Sequence, residues 1–342
     1  MKHNYKYYHR IIVMVMIIIF SSINGKTVIK MATLAPEGTK WHGMMLEMGQ
    51  QWKKATDGAV VLRIYPGGVV GDERDMIRKM RIGQIQGAAI SLEGLSELNR
   101  NVQAFYIPLL LEDYDDVDWY RERISDDLVA GIEAAGFKLL FWADVGWAHW
   151  FTKHPVRLPE DLKKTKIFTW AGDYKSAELW KKGGFSPVPL ATTDVLTGLQ
   201  TGLVDAIATT PLFSLSSQWF GVANHMLDIN WGVLSAAVVI DLRTWHKIKL
   251  SDQNIIMKIA QEMAQIHQEK NRYDDQAAIA VMKKHGLVIH TPTNDEKEQW
   301  KQFIQTWYPF IRGAYVPEEI FDKMMKLKEE RINMPKMKSK SR

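Results

Sequence analysis

The sequence predicts an α/β protein of two lobes, built on doubly wound, mixed sheets that share strands. Short apolar runs of strand length alternate with stretches whose apolar residues recur at helical spacing, the pattern of mainly parallel sheets covered by helices. That alternation occurs in two successive series with no Pro-, Gly- or Ser-rich linker between them, which suggests lobes that exchange strands rather than beads on a string. At 342 residues the chain is also too long for one ordinary core.

The first series opens with "TVIKMAT" as a strand. Thr39 to Thr56 follows as a helix, with Trp41, Met44, Met45, Met48 and Trp52 on one face. "AVVLRIY" is a strand and "YPGGVVGD" a glycine-rich turn, after which Asp72 is placed to cap a helix carrying Met76, Ile77 and Met80. "QGAAI" is a short buried strand. The acid-rich "LEDYDDVD" begins a helix, where carboxylates suit the macrodipole. "FKLLFWADVG" is a longer strand. The second series runs from "KIFTW" (strand) through Tyr174 to Lys182 (helix), "SPVPL" (strand) and Thr192 to Thr201 (helix) to "VDAIAT" (strand). "HMLDI" and "LSAAVVID" read as two further strands. The last hundred residues are mostly helical, with Ser251 capping a long run that reaches His285.

The first 25 residues join a basic segment (Lys2, Lys6, Arg10) to a ten-residue apolar run and small polar residues, the form of a signal peptide cleaved after Gly25. The apolar run is short for a membrane span. The net charge of +5 is concentrated in this leader and in the tail 335–342, "PKMKSKSR", so the body is slightly acidic and offers no nucleic-acid footprint. The chain has no cysteine, which excludes disulfides and a lipid-modified N-terminal cysteine. A free periplasmic protein is expected.

Catalytic and metal chemistry find little support. His149 and His154 lie five apart, which is not the helical spacing of a zinc site. No G-x-S-x-G turn is present, and the glycines of "YPGGVVGDE" match neither a P-loop nor G-x-G-x-x-G. The acidic run lacks the central glycine and terminal glutamate of an EF-hand. No cofactor and no enzyme activity are expected. The unusual feature is thirteen tryptophans. Trp52 and Trp180 sit on amphipathic helices and read as core. Trp147, Trp150, Phe151, Phe168, Trp170 and Trp231 lie on strands or strand ends mid-chain, where two lobes would face each other. They either line a cleft or pack between the lobes.

Three blocks resemble the solute-binding subunits of TRAP (tripartite ATP-independent periplasmic) transporters, the DctP-like proteins. They are "YPGGVVGDERDMIRKMRIGQIQGAAI", "LPEDLKKTKIFTWAG" and "GFSPVPLATTDVLTGLQTGLVDAIATTP". Pro189, Leu199, Gln200, Gly202, Val204 and Asp205 fit the family pattern of the third, and the resemblance runs from about Thr27 to Glu330. It implies a two-lobed periplasmic binding protein fold with crossing strands, a hinge and a long helix spanning both domains. On that reading domain I comprises 26–147 and 236–255, and domain II comprises 148–235 and 256–334. It further implies a small-molecule ligand in the interdomain cleft and delivery to a TRAP permease. A tetratricopeptide-repeat periplasmic protein is a further partner that some relatives use.

The polar set departs from the family. Where the family's carboxylate-gripping arginine stands, this chain has Phe168. A second family arginine corresponds to Ala148 or His149, and an asparagine to Thr209 or Thr210. The expected site is therefore Trp41, Ser91, Trp147, His149, Trp150, Phe168, Trp170, Thr209, Thr210 and Trp231, with the hydroxyls and His149 as a polar rim. Exchanging a carboxylate clamp for rings favours a hydrophobic or amphipathic ligand: a lipid-like acid, an aromatic compound or a quaternary ammonium cation. Because strand side chains alternate, a one-residue shift in "GWAHWFT" would instead turn Ala148 and Trp150 inward. The alternatives are a ligand-gated sensor or carrier-complex component, and an organic-acid binder whose arginine comes from elsewhere, such as Arg100 or Arg243.

Overall fold

The computed structural model describes residues 25–333, with side chains at 269–273 excepted. The leader and the basic tail expected from the sequence lie outside the described residues. The first half of the chain builds β1 (Thr27–Thr33), α1 (Lys40–Ala55), β2 (Val60–Tyr65), α2 (Glu73–Arg81), β3 (Gly87–Ser91), α3 (Leu92–Ser96), a 3-10 turn over Arg100–Tyr106, α4 (Tyr114–Ala134) and β4 (Phe137–Thr152). Next come α5 (Pro159–Lys163), β5 (Lys166–Trp170), α6 (Tyr174–Lys182), β6 (Ser186–Leu190), α7 (Val195–Thr201), β7 (Ala206–Thr209) and α8 (Pro211–Ser216). The last third holds β8 (His225–Asp241), α9 (Leu242–Trp245), α10 (Leu250–Lys284), β9 (Val288–His290), α11 (Asn294–Ile311) and α12 (Glu318–Asn333).

All nine strands join one mixed sheet in the order β2-β1-β3-β8-β4-β7-β5-β6, with β9 paired to β8. β2, β1 and β3 are parallel to one another, as are β7, β5 and β6. Between these groups run β4 and β8, antiparallel over their whole length from Phe137↔Asp241 to Thr152↔His225. At about 3.3 Å per residue each is roughly 50 Å long, enough to serve both halves of the molecule. β3 pairs with the C-terminal end of β8, and β7 with the C-terminal end of β4. These are the crossing strands the sequence analysis anticipated. One expectation is corrected: "HMLDI" and "LSAAVVID" are parts of the single strand β8. The intervening "NWGV" reads as a break, yet its backbone pairs with β4, Gly232 opposite Ala148.

α10 spans 35 residues, again about 50 Å at 1.5 Å per residue. Its first half contributes Ile256, Ala260 and Met263 to a core with Met44, Met48 and Trp52 of α1. Its last turn places Met282 among Leu199, Ile207 and Met226 of the other half. In its second half, Asp275 accepts a hydrogen bond from the Leu212 amide at 3.1 Å. The carboxylate of Asp275 also lies where a side chain at residue 146 would stand. A Cβ there would be 2.2 Å from Oδ2, and Gly146 has φ +134°. Only glycine meets both conditions, and the ladder shifts register at this point. A second correction concerns the helix start. Lys249 is the N-cap and Ser251 lies inside the first turn.

Local signals explain most element starts. Thr39 accepts from the His42 amide at 3.2 Å and Asp72 from the Glu73 amide at 2.8 Å. Many of the tryptophans interlock in one aromatic cluster. Trp180 stands edge-on to Trp150 (5.6 Å between centroids) and to Trp307 (5.1 Å), and Trp231 stands edge-on to Trp300 (5.6 Å). Gly183 makes room for this packing, since a Cβ there would meet Trp307 Cζ2 at 1.7 Å.

Candidate functional site

The carboxyl ends of β1, β3, β5 and β7 point into one cavity of about 270 Å³, bounded by both halves of the sheet. Open α/β sheets expose loop backbone and helix starts at these strand ends, which is why they hold ligands there. The first half supplies the 33–36 segment, Thr39 to Trp41 at the start of α1, Glu73 at the start of α2, Ser91, and Tyr106. The second half supplies Phe168 and Trp170 from β5, Thr209 and Thr210 from the end of β7, and Phe213 and Trp219 beyond it. Asp144, Val145 and Leu234 of the crossing strands form the floor. A smaller space of about 100 Å³ adjoins it behind Tyr106, Phe168 and Trp170, lined also by Ala148, Trp150 and Trp231.

Of the site residues expected from sequence, Trp41, Ser91, Phe168, Trp170, Thr209 and Thr210 line the main cavity, and Trp150 and Trp231 line the smaller one. Trp147 and His149 line neither. Trp147 packs outward on Tyr114 of α4, with centroids 5.7 Å apart. His149 is buried with Nδ1 3.9 Å from Asp228, and burial pushes its pKa down while Asp228 opposes the shift. The physical reason is the bulged ladder of β4, which shifts register between Asp144 and Gly146 and again between Ala148 and Trp150. Each shift resets the inward face, and Ala148 and Trp150 occupy it. Thr210 Oγ1 caps α8, accepting from Phe213 N at 3.2 Å.

Among the described residues no arginine lines either space. Arg100 donates to the Tyr315 carbonyl at 2.7 Å and Arg243 to the Met80 carbonyl at 2.7 Å, so neither candidate for a displaced clamp reaches the cavity. The cation on its wall is Lys40, whose side chain is 72% exposed at the mouth and bonded to Asp274 at 2.6 Å.

Sequence reasoning missed Glu73, Tyr106 and Asp144. Glu73 is 6% exposed and accepts three hydrogen bonds, from Ser91 N at 2.8 Å, Ser91 Oγ at 2.6 Å and Gly94 N at 2.9 Å. Burial outweighs these donors and pushes its carboxyl up to about 7. Asp144 is buried against the guanidinium of Arg121. The signal for Glu73 was an acid directly after the capping Asp72, which reads equally well as a complement to the helix dipole. Tyr106 ends a 3-10 turn, where no periodicity marks an inward residue.

The two halves touch at several places around the cavity. Asp72 Oδ2 accepts from the Thr192 amide at 2.7 Å, and the Arg74 guanidinium, bonded to Glu93 at 2.7 Å, lies against Gly172. Tyr106 of one half stacks on Trp170 of the other at 6.3 Å.

The family model described as bacterial extracellular solute-binding protein, family 7 (DctP) matches residues 31–312. The sialic acid-binding periplasmic protein SiaP of Vibrio cholerae is 21% identical over 294 residues, 84% of this chain and 89% of that one. The C4-dicarboxylate-binding periplasmic protein DctP of the same organism is 24% identical over 258 residues, 74% of this chain and 77% of that one. A TRAP periplasmic solute-binding protein from Shewanella oneidensis, solved with bound succinate, superposes with a TM-score of 0.82 at 20% identity, covering 89% of this chain and all of that one. The first two are named for organic acids, and the third holds one.

Proposed function

The chain belongs to family 7 of the bacterial extracellular solute-binding proteins, and from that membership we propose that it captures a small organic acid with a largely apolar body between its two lobes. It is the solute-binding subunit of a TRAP transporter, a binding protein and not an enzyme. Of the hydrophobic or amphipathic ligands expected from the sequence, an acid is preferred, because two relatives are named for sialic acid and C4-dicarboxylates and a structural neighbour holds succinate. The observation that carries this reading is the cavity at the strand ends, walled by both halves, which the Asp72–Thr192 hydrogen bond also joins. Its 270 Å³ is at the low end for small-molecule sites and too little for the chains of a lipid.

Without an arginine on the wall, a carboxylate has one cationic place to go, the mouth. There Lys40 stands at the N-terminus of α1, whose first turn carries no acidic residue. The carbon body then lies against Trp41, Phe168 and Trp170. Closure of domain I (26–147, 236–255) on domain II (148–235, 256–334) buries the solute, and the closed protein presents it to the permease in the periplasm. A tetratricopeptide-repeat partner stays a separate proposal, tested by co-purification. The test of the main reading is thermal melting against a panel of small carboxylates. Stabilisation by one chemical group of acids, abolished in Trp41→Ala, supports it. Stabilisation by none, or by acids that bind Trp41→Ala and Phe168→Arg equally well, contradicts it.

A further inference from the structure

Two acids and one base line the main cavity, and their partners differ. Asp144 is neutralised by Arg121, and Lys40 is held at the mouth by Asp274. Glu73 takes its three hydrogen bonds from neutral donors, and no lysine, arginine or histidine pairs with it among the described residues. Arg74, its neighbour on α2, is spent on Glu93 and Glu97 at 2.7 and 2.9 Å. A buried carboxylate without a counter-charge is costly, and the cost is relieved when a cation arrives.

What stands beside Glu73 suits a cation. Ser91, its hydrogen-bond partner, and Tyr106 line the same wall. From Tyr106 the wall continues as rings, with Trp170 stacked on Tyr106 at 6.3 Å and Phe168 edge-on to Trp170 at 5.3 Å. Aromatic faces carry negative potential and attract quaternary or protonated amines, most strongly where water is excluded. A bare carboxylate would meet the same faces and Glu73 as a repulsive surface.

We propose that this inner wall seats a positively charged nitrogen, so that the solute is a zwitterion with its carboxylate at the Lys40 mouth and a quaternary or protonated amine against Glu73 and the rings. This rests on the reading of the cavity as the solute site and narrows its ligand class. It also gives the missing arginine a physical sense. A guanidinium on β5 would repel the ligand's own cation, whereas Phe168 attracts it.

The test uses matched pairs of probes that differ only in charge. They are trimethylglycine against its all-carbon isostere tert-butylacetate, and gamma-butyrobetaine against its all-carbon isostere. Affinities are measured by calorimetry on the wild type, Glu73→Gln and Trp170→Leu. We expect the cationic member of at least one pair to bind about ten-fold more tightly or better. The gap should shrink in both variants, so a failure of one to fold leaves the other to decide. Binding of the cationic member at pH 6.5 should also release protons, read from buffers of different ionisation heat, because the cation holds Glu73 ionised. A merely structural Glu73 would not move that readout. Equal or tighter binding of the isostere overturns the proposal, as does a gap that survives both substitutions. So does failure of both pairs to bind while the solute released from the purified protein lacks a basic nitrogen. In each of those cases, a changed affinity of whichever acid does bind, in either direction, in Phe168→Arg shows that the cavity reading stands and the zwitterion alone has failed.

Discussion

Replacing Phe168 by arginine puts a guanidinium where the ring now closes the cavity. Phe168 is 7% exposed and meets Trp170 edge-on at 5.3 Å. Burying a phenylalanine side chain is worth about 1.5–3 kcal/mol, and an aromatic pair adds about 0.5–1.5 kcal/mol. Most of that burial is against protein, so the solute contact itself is a small part of it; the larger loss is that a guanidinium on this wall must shed water when the solute enters, at about 1–2 kcal/mol, a 5- to 30-fold rise in Kd for the native solute. If the solute is a zwitterion, charge repulsion acts in the same direction. The guanidinium also supplies the counter-charge that simple carboxylates lack on this wall, and a bidentate pair is among the stronger hydrogen-bonded contacts. Weak binding of succinate should therefore appear in the variant and not in the wild type. The assay is calorimetry with the co-purified solute and with succinate, on protein shown to be folded by circular dichroism. Phe168→Leu is the control, which keeps apolar area and should fall between. A folded arginine variant with an unchanged Kd for the native solute refutes the placement of Phe168 in the site.

Further outcomes follow from other contacts. Asp72→Ala removes the cap of α2 and the bond to the Thr192 amide. It should cost about 1 kcal/mol in urea denaturation and raise Kd about 2- to 10-fold by depopulating the closed form; an unchanged Kd would show that closure does not use this bond. Gly183→Ala drives a methyl into Trp307 and should destabilise the fold by about 1–3 kcal/mol; a neutral result would contradict the packing of the aromatic cluster. The stability of the ligand-free protein should fall as pH rises between about 4.5 and 7. Over that range the folded state keeps the proton on Glu73, among the Asp72 and Glu93 carboxyls, that the unfolded chain has released. Melting temperatures at pH 5 and pH 7.5 measure the slope, to which buried Glu93 and Asp275 add in the same direction, and Glu73→Gln should reduce it; an identical slope would mean that Glu73 titrates normally.

Much of this architecture could be read locally, because the sequence signals act over a few residues. Thr39 and Asp72 cap the helices they precede, and "KIFTW" forms the strand whose end carries Phe168 and Trp170. The continuity of β8 through Asn230 and Gly232 was hidden because it depends on pairing with β4, a segment some eighty residues earlier. The inward face of β4 was hidden for a related reason. One of its register shifts falls at Gly146, where Asp275 of α10 occupies the side-chain position, a contact no window around "GWAHWFT" contains. Lys249 rather than Ser251 starts α10 because its extended backbone ends the preceding turn without a side-chain cap. Glu73 was hidden by ambiguity: an acid at a helix start usually faces water, and here burial against Ser91 and Gly94 decides otherwise.

The most direct test of the account is to denature protein purified from its native periplasm and identify the small molecules released by mass spectrometry. A single small carboxylic acid with an apolar body, near one per protein and at lower occupancy in the Phe168→Arg variant, is the predicted result. A lipid, or a sugar acid or dicarboxylate at undiminished occupancy in that variant, would contradict an arginine-free cavity as the place where the solute is held.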